Sequence, residues 1–139
     1  MISQQMFVIA LATVAQFIVG AVWYTPLFGK LWGKIHGFDK LDKKTQQKMM
    51  SQMGPIFGVQ LVVTVITSIV MVILHQMVPA VSLYTLVLLS WIGFVVPAQV
   101  SGILFSGTEQ KWMVTKSALM AGGSLVSLMS GAAVTLLLS

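Results

Sequence analysis

Cysteine is absent from the 139 residues, and so is arginine. Without cysteine there is no disulfide framework, no thiolate nucleophile, no Cys-ligated zinc and no iron–sulfur cluster. Without arginine there is no guanidinium fork, the usual means of bidentate phosphate or carboxylate recognition. Acidic residues are scarce: Asp39, Asp42 and Glu109 are all there are. Charged residues of both signs make up 8% of the composition, where globular domains carry about 25%. A soluble fold of this length needs more polar surface than that. The composition excludes an ordinary soluble enzyme, a disordered tail and a soluble nucleic-acid binder.

What is present is apolar. Hydrophobic residues make up 57% of the chain, and the mean hydropathy is +0.93. Four apolar runs stand out, at about residues 6–24, 55–78, 81–105 and 114–138. None contains Asp, Glu or Arg, and Lys116 sits only at the edge of the last. Each is long enough to cross a hydrocarbon core of roughly 30 Å. Inside lipid the backbone must satisfy its own hydrogen bonds, so the runs are expected to be helices, even through β-branched stretches such as Val62-Val63-Thr64-Val65-Ile66. The expected fold is all-α: a single polytopic membrane domain, a four-helix bundle of transmembrane helices. The start, Met1-Ile2-Ser3-Gln4-Gln5, lacks a basic leader, so the first run reads as an uncleaved span.

All eight basic residues are lysines. Six fall in the connection at residues 25–54 and two, Lys111 and Lys116, at the connection between runs three and four. With four spans those connections share one side, and the positive-inside rule makes it cytoplasmic. Both termini are then expected outside. The expected setting is a bacterial inner (plasma) membrane.

The connection at 25–54 is expected to carry a short interfacial helical segment. Thr25 and Pro26 suit an N-cap and first helical position. Leu27, Phe28, Leu31, Trp32 and Ile35 recur at helical spacing, with Lys30 and Lys34 turned away, a pattern that suits an interfacial helix. Gly37 is a candidate stop. Asp42 is a candidate cap for a second helix, with Lys43, Lys44 and Lys48 outward and Met49, Met50 and Met53 inward. Lys30, Lys34, Lys43 and Lys44 form the expected lipid-binding loop, reaching anionic headgroups.

The run Gly20-Ala21-Val22-Trp23-Tyr24-Thr25-Pro26-Leu27-Phe28-Gly29-Lys30, followed by Trp32, resembles the signature of a family of small integral membrane proteins known only as a domain of unknown function. Trp91-Ile92-Gly93-Phe94-Val95-Val96-Pro97 and the Gly-rich last run are similar to that family as well, and the resemblance covers nearly the whole chain. It implies four spans and carries no established activity.

The motif residues Trp23, Tyr24, Pro26, Phe28, Gly29, Lys30 and Trp32 read as an interfacial belt with a fixed turn. The sharper reading makes Trp23, Tyr24 and Trp32 a gate or ligand lip. Polar and small residues line the runs: Ala12, Gln16 and Gly20 in the first; Gln60, Thr64, Thr67, Met71 and His75 in the second; Ser90, Gly93, Pro97 and Ser101 in the third, with Gln99 pointing elsewhere; Gly123, Ser124, Ser127, Gly131 and Thr135 in the last. Such faces serve helix packing, with Gly20, Gly93, Gly123, Ser127 and Gly131 as its small contacts. The alternative is a polar pathway lined by Gln16, Gln60 and Gln99, beside a kink at Pro97.

His36 and His75 fall at opposite ends of the expected bundle, so no metal site is expected, and no cofactor or nucleic-acid partner. No carboxylate lies within a span, which weighs against proton-coupled transport and acid–base catalysis in the bilayer. The functional expectation is a non-enzymatic membrane protein acting as a homo-oligomer or as an accessory subunit of a membrane complex. The alternative is an oligomeric pore or facilitator for a neutral or weakly polar solute.

Overall fold

The computed structural model describes residues 2–139, and every regular element in them is helical. Four helical stretches are long and apolar enough to cross a membrane: Ile2–Leu27, Met53–Met77, Leu83–Leu104 and Gln110–Leu138. They correspond to the four apolar runs, and the first extends further at both ends than the run suggests.

Three of the spans contain a proline. Pro55 stands in the first turn of span two, where no helical N–H bond is lost. Spans one and three carry theirs beyond the first turn, and each adapts in the same way. Span one is α1 (Ile2–Val22) continued through a π-helical turn, Trp23–Leu27, with Pro26 inside it. Span three is α5 (Leu83–Ser90), a π-helical turn at Trp91–Val95, then α6 (Val96–Leu104) with Pro97 in its first turn. Proline has no N–H to donate, and its ring crowds the carbonyl one turn back. A wider turn makes room for it. The Phe28 N–H donates to the Trp23 carbonyl at 3.0 Å, closing such a turn. Thr25 is therefore not an N-cap, and Pro26 does not begin a helix. The new helix, α2, covers Gly29–Ile35. Leu27, expected on its apolar face, falls in the π turn and is exposed.

Gly37 ends α2 with φ of +73°, a left-handed conformation that suits glycine. A 3-10 turn comes next, at Phe38–Lys40. Asp42 then occupies the N-cap of α3 (Lys43–Ser51); its carboxylate accepts from the Thr45 hydroxyl, and its carbonyl from the Gln46 N–H at 3.0 Å. Met49 and Met50 point outward, not inward, because α3 packs only lightly on the start of span two, α4 (Met53–Met77). Span four is α7 (Met113–Leu138) with a 3-10 turn before it.

α1 sits between α7 and α4, and α7 also carries α5 and α6 on its other side. The Gln4 amide lies 3.5 Å from the Leu138 carbonyl, so the two ends of the described residues lie at one end of the bundle. Near that end Met71, Leu83, Val87 and Ala132 form an apolar core.

At mid-bundle the core is polar. The Gln16 amide donates to Ser68 Oγ at 2.8 Å and to the Ala12 carbonyl at 3.2 Å. The Thr13 hydroxyl donates to the same Ser68 Oγ at 2.9 Å. Ser68 in turn donates to the Thr64 carbonyl at 3.1 Å. A hydroxyl has one proton and two lone pairs, and here all are used. Gly131 of α7 lets the Gln16 side chain pass: a Cβ there would stand 2.6 Å from Nε2 and 2.7 Å from Cδ.

Gly131→Ala is accordingly expected to push Gln16 off Ser68 and destabilise the protein by about 1–3 kcal/mol, read as a lower thermal midpoint in mild detergent. Gly20→Ala, where a Cβ would meet no heavy atom within 4 Å, is the control and should not lower it. Equal midpoints for the two variants would contradict this packing.

Candidate functional site

The stretch that closes span one is turned onto span four. The Trp23 indole donates from Nε1 to the Leu119 carbonyl at 3.0 Å. Its ring lies on two successive glycines: a Cβ on Gly122 would come within 2.8 Å of it, and one on Gly123 within 2.9 Å. The Tyr24 hydroxyl lies 3.0 Å from that same Gly123 position. Gly29 lets α2 fold back, since a Cβ there would stand 3.3 Å from the Tyr24 carbonyl oxygen.

The other aromatics extend this seat in a chain. Trp23 and Phe28 have ring centroids 4.6 Å apart, Tyr24 and Trp32 are 4.9 Å apart, and Trp32 and His36 are 4.3 Å apart. The Lys116 ammonium stands 5.7 Å from the Trp32 centroid and donates to Thr108 at 3.3 Å. Its place over a π face is favourable for a cation. Trp32 thereby links α2 to the base of span four. Pro26 and Lys30 are exposed.

Span three reaches the same stretch of α7 from the other side. The Trp91 indole donates to the Ala121 carbonyl and to Ser124 Oγ, each at 3.0 Å. Gln99 faces span four as well: its amide lies 3.5 Å from the Met120 carbonyl, and its Oε1 accepts from Ser124 at 3.3 Å. This reverses the expected faces of span three. Gly93, Pro97 and Ser101 lie on its exposed side, and a Cβ on Gly93 would meet nothing within 4 Å. A π turn at Trp91–Val95 interrupts the α-helical register between Ser90 and the residues beyond it. Gly93 and Gly20 therefore make no close helix contact, whereas Gly123 and Gly131 sit directly under side chains of span one. Ser127 belongs to that seam too, donating to the Gln16 carbonyl at 3.1 Å.

Gln16, Gln60 and Gln99 do not converge. Gln16 holds Ser68, Gln99 holds span four, and Gln60 is exposed with its amide 3.4 Å from Thr64 Oγ1 on its own helix. Thr13 and Ser68 carry contacts between spans that the sequence pattern did not single out, and Trp91, noted there only as part of a family-like stretch, carries another. Ser68 lies one turn beyond Thr64, the spacing that would have pointed to it. No buried side-chain nitrogen or oxygen among the described residues lacks a partner.

Two clefts open at the ends of the bundle. One, of about 310 Å³, lies among Gln4, His75, Gln76, Pro79 and Ser139. The other, of about 690 Å³, lies where span one leaves the bundle, between Thr25, Lys30, Lys34, Phe38, Asp39 and Gln46. Lys43 and Lys44 are exposed at the start of α3, outside its lining. Among the described residues no three His, Asp or Glu side chains gather as metal ligands would. His36 is engaged by the Trp32 carbonyl at 2.8 Å.

No curated protein and no solved structure matches this chain. A family model described as "Protein of unknown function (DUF1761)" matches residues 7–137, and the chain belongs to that family.

Proposed function

We propose that this is a non-enzymatic membrane protein that acts by packing, as a self-associating unit of the bilayer. The observation that supports this reading is the division of small residues between two faces. Those of span four are occupied internally by Trp23, Tyr24 and Gln16. Those of span three, Gly93 and Ser101 beside Pro97, are exposed along a part of the chain long and apolar enough to lie in lipid. Helices associate in lipid through close approach at small residues, and span three offers such a surface to a second copy. The same role is open to it as an accessory subunit, with another protein on that face. The pore reading has no comparable support, since its three glutamines serve separate contacts.

The natural absence of cysteine makes a direct test possible. Gly93→Cys and Ser101→Cys, oxidised in native membranes, should each give a covalent dimer. Phe7→Cys, on an exposed position of span one, should not. Failure of both span-three variants to cross-link above the Phe7→Cys level would contradict self-association through this face.

The lysine-bearing connections are proposed to be cytoplasmic. All eight lysines belong to the connections at 25–54 and between spans three and four or to their flanks, and Lys116 over Trp32 ties these connections to one end. In intact cells a membrane-impermeant maleimide should label Gln76→Cys and spare Gln47→Cys, both exposed positions. The reverse pattern would invert the orientation.

A further inference from the structure

The cleft at the exit of span one has a feature that a purely basic surface lacks. Lys30 and Lys34 line it from successive turns of α2, and Asp39 lines it from the 3-10 turn. All three are exposed, and none forms an ion pair: the one salt bridge among the described residues is Lys111 with Glu109. Residues of both charge signs thus border one cleft of about 690 Å³ and form no ion pair with one another. Its walls are held in place. The Gln46 amide donates to the Phe38 carbonyl at 2.9 Å, tying α3 to the turn that carries Asp39. The left-handed Gly37 sets the direction of that turn.

The place of the cleft matters as much as its charge. Thr25 lies in the last turn of span one, so the cleft opens where the chain leaves the hydrocarbon. Below Thr25, Val14, Ile18 and Val22 recur every fourth residue and are exposed, an apolar strip on the span that ends at the cleft. An acyl chain can lie along such a strip while its headgroup occupies the charged pocket above.

We propose that this cleft binds the zwitterionic phosphoethanolamine headgroup of a membrane phospholipid. The phosphodiester sits between Lys30 and Lys34, and the primary ammonium donates to Asp39. An anionic glycerol headgroup satisfies the lysines but offers Asp39 only neutral hydroxyls, weaker donors than an ammonium. A choline headgroup brings a cation with no N–H to donate. The expectation of a diffuse anionic contact across Lys30, Lys34, Lys43 and Lys44 is thereby narrowed to the pair inside the cleft.

The test is native mass spectrometry of the full-length protein, released from mixed vesicles with equal phosphatidylethanolamine, phosphatidylglycerol and phosphatidylcholine. The intact protein should retain phosphatidylethanolamine over the other two, by up to about fivefold, the worth of an exposed ion pair. Asp39→Asn should abolish its advantage over phosphatidylglycerol. Lys30→Gln or Lys34→Gln should lower retention of both lipids about fivefold, as the loss of one lysine near a headgroup implies. Lys43→Gln should change nothing. Equal retention of the three lipids, a preference for phosphatidylglycerol, or an unchanged preference in Asp39→Asn would each overturn the proposal. Soluble glycerophosphoethanolamine separates the two sources of this headgroup. Weak binding of it alongside retained lipid fits the proposal; tight binding of it with no lipid retained contradicts a lipid ligand.

Discussion

Three of the four spans meet at the amide of Gln16. In lipid there is no water to take up an unpaired amide, so a glutamine at this depth requires partners. Ser68 of span two supplies one at 2.8 Å, and the Ala12 carbonyl supplies another. Lipid tails are as apolar as leucine, so no hydrophobic drive sorts the helices. Close approach and hydrogen bonds must do so. Gly131 is where span four comes close enough to cover the Gln16 side chain. The mutual placement of spans one, two and four depends on this one residue and its neighbours.

Span three is attached differently, and its attachment explains the exit of span one as well. One short stretch of span four, about residues 119–124, receives the Trp23 indole from one side and the Trp91 indole from the other. Gly122 and Gly123 provide the flat seat for Trp23. With Trp23 fixed there, the π turn carries the chain round Pro26, and α2 folds back over Tyr24 through Gly29. The cleft holding Lys30, Lys34 and Asp39 is the outcome of that path. Span four turns its small residues inward, under side chains of span one.

The four helices are legible from hydropathy alone, because a run without charge leaves the backbone no other way to satisfy itself in lipid. Gln16, Gly123, Ser127 and Gly131 are legible as polar or small residues at helical spacing. Ser68 escapes that pattern because Thr67 beside it fits a face almost as well, and the true face is set by what Gln16 can reach. Gly93, Pro97 and Ser101 keep the common face that their spacing gives them, and Gln99 points away from it, but helical spacing does not say which of the two faces the bundle covers. Helical periodicity also assumes that no π turn is present. Pro97 is the visible clue to the one at Trp91–Val95. The same limit applies to Pro26, which reads as the start of a helix and lies inside a widened turn. The inward methionines of α3 fail because amphipathic spacing shows that a helix has an apolar side, and not that the bundle covers it.

A double-mutant cycle on Gln16→Leu and Ser68→Ala, read as unfolding free energy in mild detergent, reaches the centre of this structure most directly. The two losses should be coupled by about 0.6 kcal/mol or more, up to about 1.7, the average and the maximum found for hydrogen bonds between membrane helices. Losses that add to within about 0.3 kcal/mol would mean that Gln16 and Ser68 act independently, and that spans one and two are not joined at this point.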